Sequence, residues 1–280
     1  MTFVICKQDI TPTERESQVP SALRDEMLKT GHEDWLSALD TCGINTKTIE
    51  CCVCGDYRHP VQFHCKLRLC PDCTRKKAHE IREKFLPHLQ ELKHLKLITL
   101  TIKNTATIEE GIQKIRNGLK RLRQRKDIKS RLFGGVYSIE TTVGRDGKFH
   151  VHCHLLVSMF FISQERLSDI WKDITGDPIV DIRKVIGGAR RALRYVTEYL
   201  TKGLAHLLDK WEPAQVIEYL EATIKARLIA GIGKLYGVVI PREKLKCPHC
   251  GESIFRLSDL NGHIVFDSLE LLRRRAWDSS

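Results

Sequence analysis

Three histidines alternate with apolar residues in the stretch Lys148-Phe-His-Val-His-Cys-His-Leu-Leu-Val157, and a β-strand is the conformation that sorts them. A period of two sends alternate side chains to opposite faces. Val151, Cys153 and Leu155 then pack on one face, while His150, His152 and His154 line the other. Imidazoles two positions apart on a strand stand roughly 6.5–7 Å apart, near enough to share one metal ion. Clustered imidazoles are costly to bury without a ligand or a proton partner. That cost favours a metal site over an ordinary packed strand.

The residues just upstream supply a partner strand. Gly134-Gly-Val-Tyr-Ser-Ile-Glu-Thr-Thr-Val143 is β-rich, and Gly144-Arg-Asp-Gly147 reads as the turn from which the histidine strand returns. A five-residue loop would set Glu140 beside His152, and a four-residue loop would put it on the other face. Leu95 to Asn104 is a further strand, β-branched and closed by Asn. Helices are predicted between the strands. Thr107 can cap one, with Glu109 and Glu110 in its first turn, and Ser163-Gln-Glu-Arg opens another. Shorter elements include a helix over 21–39, a strand from Ile179 to Val185, a helix from Pro213 to about Ile229 and a strand Gly237-Val-Val-Ile240.

Eleven cysteines are spread unevenly, with two CxxC pairs, Cys51/Cys54 and Cys70/Cys73, close in sequence. Such pairs let two thiolates face one tetrahedral ion. With an odd total and no basic, apolar leader, they argue for structural Zn²⁺ in a reducing cytoplasm rather than for disulfides. Cys65, Cys52 and His64 lie within reach, so other sets of four stay open. Cys247-Pro-His-Cys250 is a third pair, to be completed by His263, by cysteines elsewhere, or not at all.

The chain carries a net charge of +11, which points to an acidic partner, nucleic acid first. No run is long and apolar enough for a membrane span. From Lys114 to Arg131 nine cations face Asp127 alone, among them Lys120, Arg121, Arg123, Arg125 and Lys126. Their mutual repulsion favours contact with DNA or RNA. A helix opened by Gly187-Gly-Ala carries Arg190, Arg191 and Arg194 as further candidates. On it Tyr195 and Tyr199 are four apart and share a face, with Lys202 three beyond. The chain divides into an N-terminal extension (1–50), a zinc module with a basic helix (51–92), a central domain (93–210) and a C-terminal region (211–280).

In order, the chain shows Ile98-Thr-Leu-Thr101, then His152-Cys-His154-Leu-Leu-Val, then Tyr195-Val-Thr-Glu-Tyr199-Leu-Thr-Lys202. This trio resembles the three motifs of the HUH endonucleases, in particular the rolling-circle replication initiators of phages and plasmids. The segment Cys65-Lys-Leu-Arg-Leu-Cys-Pro-Asp-Cys73 resembles the zinc module that precedes the nuclease in such proteins. The resemblance implies an α+β fold: a central antiparallel sheet of about five strands, flanked by helices, behind an N-terminal zinc module. It implies Mg²⁺ or Mn²⁺ held by His152 and His154, with Glu140 or else His150 as third ligand. It implies Tyr199 as nucleophile, Tyr195 as a second one, and Lys202 at the scissile phosphate. The activity implied is nicking and strand transfer of single-stranded or origin DNA through a 5′-phosphotyrosine. Without a phosphate loop of its own, such a protein would borrow a host helicase and DNA polymerase. A transposase or mobilisation relaxase would share the chemistry, and a zinc-dependent DNA-binding regulator would share only the charge and the cysteines.

Overall fold

A computed structural model describes residues 19–44, 46–62, 64–201, 210–239, 245–258 and 264–266, with the backbone alone at 46, 199–201 and 264–266. The chain divides into two compact units, one built from residues up to Cys65 and from Lys244 onward, the other starting at Lys66.

The first unit opens with helices α1 (Ser21–Lys29) and α2 (Glu33–Asp40). The sequence predicts one helix here. The chain instead stops at Thr30 and turns through Gly31 at φ 74°, with the His32 N–H donating to the Met27 carbonyl. Glycine adopts this left-handed turn without the steric cost that other residues meet. Strands β1 (Thr46–Cys51) and β2 (Arg58–Gln62) follow and pair antiparallel.

The second unit runs α3 (Pro71–Glu91), β3 (Leu95–Thr101), α4 (Ile108–Gln124), α5 (Lys126–Lys129), β4 (Leu132–Val143), β5 (Phe149–Met159), α6 (Gln164–Thr175), β6 (Val180–Lys184), α7 (Gly188–Thr201), α8 (Pro213–Thr223) and β7 (Ile229–Gly233). The chain then returns to the first unit with β8 (Phe255–Ser258), which pairs with β1, and β9 (Ile264–Phe266), which pairs with β8.

Five antiparallel strands in the order β6-β3-β5-β4-β7 form the sheet of the second unit. The expected α+β fold with a five-stranded antiparallel sheet is what the chain adopts. The last strand falls at Ile229–Gly233 rather than at 237–240. Two glycines disguise it: a Cβ at Gly231 would strike the Leu235 backbone, and one at Gly233 would strike that of Phe133.

Helices cover both faces of this sheet. On one side Ile81, Phe85 and Leu89 of α3 and Ala192, Leu193 and Val196 of α7 bury Val136 of β4 and Leu156 of β5. On the other, α4 lies so close to the sheet that a Cβ on Gly111 would overlap Val151. A Cβ on Gly118 would come within 2.6 Å of the Trp171 ring of α6. The Trp171 indole N–H donates to the Thr101 carbonyl at 2.8 Å. Both expected caps form, from Thr107 to the Glu110 N–H and from Ser163 to the Arg166 N–H. Among the described residues no helix is long and apolar enough to cross a membrane.

Asp177 pins this second layer. Its carboxylate is buried and accepts from the Lys103 N–H at 3.1 Å and the Lys114 ammonium at 2.9 Å. Removing one member of such a pair leaves an uncompensated charge. Asp177→Ala is expected to cost about 3 kcal/mol, measured as a lower urea midpoint at unchanged slope.

Candidate metal centre

Strand alternation and register together build the centre of the second unit. Glu140 of β4 pairs directly with His152 of β5, and Val143 pairs with Phe149, so the connecting loop is the five-residue alternative. Ser138 pairs with His154 and Val136 with Leu156. Glu140, His152 and His154 therefore share the α3/α7 face with the core residues Val136 and Leu156. One Glu140 carboxylate oxygen, Oε2, lies 2.7 Å from His152 Nε2 and 3.1 Å from His154 Nε2. The three donor atoms all lie within 4.8 Å of one another.

Neighbouring strands orient the donors. Thr99 of β3 pairs with His154, and its Oγ1 lies 3.1 Å from His154 Nδ1. That contact leaves Nε2 facing Glu140. His152 Nδ1 is buried with no hydrogen-bond partner among the described residues. Two imidazole nitrogens and one carboxylate oxygen, the last packed between two nitrogens, form a donor set that could hold a divalent metal ion. A ligand-orienting contact is worth roughly 10–100-fold in metal affinity. Thr99→Val is thus expected to weaken Mn²⁺ binding about tenfold in a calorimetric titration, with the fold retained.

His150 lies outside this trio. Its Nδ1 is 2.9 Å from Asn104 Oδ1, and the Asn104 amide donates to Asp146 of the hairpin loop at 2.9 Å. Burial, together with the neighbouring His152, holds its imidazole below the ordinary range. The sequence contained Asn104 and Asp146 but gave no sign of their roles, because 46 positions separate Asn104 from His150.

α7 brings Tyr195 to the centre. Its ring stands edge-on to His154 with centroids 5.9 Å apart, and the residue is 43% exposed. Tyr199 follows one turn later on the same helix; its side chain, like Lys202 and His263, lies outside the described residues. The exposed Arg190, Arg191 and Arg194 stand on this helix too, Arg194 paired with Glu198 at 3.1 Å.

The basic α4 lies across the sheet from the trio. Its cations find partners that a local reading does not see. Arg121 donates to the Ile174 carbonyl at 2.7 Å and Arg125, just past the helix end, to Asp173 at 3.1 Å, while Arg123 bonds within the helix to the Leu119 carbonyl at 3.3 Å. Lys120 and Lys126 are exposed. On α8 the Tyr219 phenol is pushed up by burial, with Arg68 opposing and Glu140 adding to the rise.

The first unit gathers a second donor set. Cys51 Sγ lies 3.6 Å from Cys250 Sγ, and Cys54 Sγ lies 3.6 Å from Cys247 Sγ. The four sulfurs form one group. Each pair sits on a tight turn: Gly55 and Gly251, at φ 72° and 78°, donate N–H bonds to the Cys51 and Cys247 carbonyls. The Cys54 and Val53 N–H groups hold the Cys51 thiol down to about 7. Cys250 is pushed up to about 12: the Glu252 N–H favours its thiolate, but burial and the adjoining Cys51, Cys247 and Cys54 sulfurs outweigh it. Several thiolates can coexist here only with a cation among them. Thus Cys51 and Cys54 join the late pair Cys247/Cys250 rather than Cys70/Cys73. Cys70 and Cys73 lie at the start of α3 in the second unit, where the Lys66 N–H donates to Cys73 Sγ at 3.2 Å. In the first unit the Cys65 N–H donates to Cys42 Sγ at 3.3 Å.

Residues 59–246 match the Rep_1 family model, described as a replication protein. A "Protein rep" of Staphylococcus aureus is 26% identical over 52% of this chain and 72% of its own length. A "Protein rep" of Lentilactobacillus hilgardii is 23% identical over 72% of this chain and 70% of its own length. Another, from a Bacillus species, is 27% identical over 45% of this chain and 47% of its own. No solved structure matches the chain.

Proposed function

The chain belongs to the Rep_1 replication-protein family, and on that premise we propose that it nicks and rejoins DNA at a replication origin to start rolling-circle replication of a plasmid or phage. The observation that carries this reading is the Glu140/His152/His154 trio with the Tyr195 ring 5.9 Å from His154. Glu140, His152 and His154 would hold Mg²⁺ or Mn²⁺, which when bound polarises the scissile phosphodiester and withdraws its charge.

A tyrosine oxygen on α7 attacks phosphorus. The phenol gives up its proton as the phenolic O–P ester to the 5′-phosphate forms, the P–O3′ bond breaks, and the departing oxygen takes up a proton as a free 3′-OH. The energy of the ester is kept in the phosphotyrosine, so a later 3′-OH can reverse the step. Tyr199 is the first candidate nucleophile from its motif position, with Lys202 as phosphate partner, and Tyr195 is the second. Arg190, Arg191 and Arg194 are the cations we assign to the DNA backbone on this side. For Lys120, Arg121, Arg123, Arg125 and Lys126 the same role would require DNA on the opposite side of the sheet. A host helicase and polymerase would extend the 3′-OH, and the cytoplasm is where such an origin is met.

Zinc is the fitting ion for Cys51, Cys54, Cys247 and Cys250, since four thiolates in tight turns match its tetrahedral preference. Cys65, Cys70 and Cys73 are retained as zinc ligands on their sequence pattern. Membership in a replication family favours initiation over a transposase or relaxase role.

The test is covalent capture. Protein, Mn²⁺ and a labelled single-stranded library are expected to give a denaturation-resistant protein–DNA adduct, absent in Tyr195→Phe/Tyr199→Phe. An adduct that survives the double substitution, or DNA left whole by the unaltered protein, rules the reading out. The second of these outcomes leaves the DNA-binding regulator.

A further inference from the structure

A cavity of about 310 Å³ opens beside the trio, between the β3–β6 side of the sheet and α7. Leu97, Val185, Ile186, Arg191, Ala192 and Tyr195 line it. We propose that this cavity takes the base of the unpaired DNA nucleotide next to the scissile phosphate. The inference rests on the nickase reading above and adds to it a site that selects sequence.

Three observations fix the occupant. First, Tyr195 is a wall of the cavity and also faces His154, so whatever fills the cavity is a neighbour of the reacting phosphate. Second, the lip is apolar and held in water: Ile186 is 85% exposed. A phenol and a branched alkyl group around a slot suit a flat, partly apolar ring, and stacking on such surfaces is the sequence-tolerant core of single-strand binding. Third, the charge at the rim is positive. Arg191 lies over the β6–α7 loop, where a Cβ on Gly187 would stand 3.2 Å from its Cδ, and Gly187 turns at φ +88°. Arg190 beside it is exposed. A base in the slot would thus have cations ready for its own phosphate. Base-paired DNA cannot offer this face, because its bases are stacked within the helix. The occupant is therefore single-stranded.

Ile186 makes the test clean, since a side chain so exposed contributes little to folding. The nick is first mapped with Mn²⁺ and a single-stranded library. The preferred oligonucleotide is then remade with one abasic position at a time, and binding is read by fluorescence anisotropy in EDTA, where no cleavage occurs. With the unaltered protein, one position within two nucleotides of the nick is expected to lose about tenfold in affinity when its base is removed. In Ile186→Ser that loss shrinks to about threefold or less, while the effects at other positions stay put. A flat abasic profile, or one that Ile186→Ser leaves unchanged, overturns the pocket while the nickase stands. Ile186→Ser that only abolishes self-association also overturns it, by assigning the lip to a second copy of the chain. A library left uncut overturns the nickase and the pocket together.

Discussion

Glu140→Gln is expected to lower Mn²⁺-dependent nicking of single-stranded DNA by about 10³-fold, with the protein still folded. The substitution keeps the shape of the side chain and removes only the anionic oxygen that lies 2.7 and 3.1 Å from two imidazole nitrogens. An amide offers a divalent ion a weaker donor, so metal affinity and charge withdrawal fall together. Cavity formation plays no part, which separates this change from His154→Ala, where a buried ring is deleted from the sheet. Single-turnover nicking at saturating Mn²⁺ is the measurement, with oligonucleotide affinity in EDTA as the control. Affinity should stay within about twofold, because on the proposed reading the trio would meet the phosphate only through the ion. A variant that nicks within tenfold of the unaltered protein would remove Glu140 from the centre, and His150 would then be the third ligand to examine.

How much of this could be read from the chain depends on how far apart the cooperating residues are. The histidine strand was legible because alternation is a local property, whereas the hairpin left Glu140 on either face until the register with Val143 opposite Phe149 chose the five-residue loop. The caps at Thr107 and Ser163 were legible for the same reason. What escaped was pairing across distance. Cys51 and Cys250 are 199 positions apart, and Cys54 and Cys247 are 193 apart, so neither half announces the other. The cations of α4 looked unbalanced because Asp173 and Asp177 come from α6 and the turn after it, 48 and 63 positions from Arg125 and Lys114. Tertiary folding supplied anions and carbonyls where a local count saw only repulsion. Thr99 stood in a recognisable motif, yet its contact with His154 appears only when β3 is laid beside β5.

The cysteine pairing carries the second large expectation. Cys247→Ser/Cys250→Ser is expected to remove one zinc per chain and to unfold the four-stranded sheet of the first unit. Among the described residues the apolar cluster on this sheet is small: Ile49, Phe255 and Leu257 with Cys51 and Cys247, and Cys54, Tyr57, Val61 and Leu245 packed against them. So few buried side chains do not hold a four-stranded sheet by hydrophobic burial alone. Cross-strand pairing helps, since Arg58 and Arg256 grip Glu50 from both sides at 3.0 and 2.8 Å and hold its carboxyl below the usual range, the Arg256 bond first. A pair of such contacts supplies little next to a structural zinc site, whose binding is worth roughly 10–16 kcal/mol in small domains. Without the late cysteines β8 loses its tie to β1, although four register pairs, Thr48 with Ser258 to Cys51 with Phe255, still match. The measurements are zinc content by elemental analysis and limited proteolysis. The double variant should hold one zinc fewer and be cleaved rapidly between Thr46 and Gln62, while the unaltered protein resists until a strong chelator is added. Equal zinc content in the two proteins would show that these four sulfurs hold no ion, and an equally resistant variant would show that the strands stand without one.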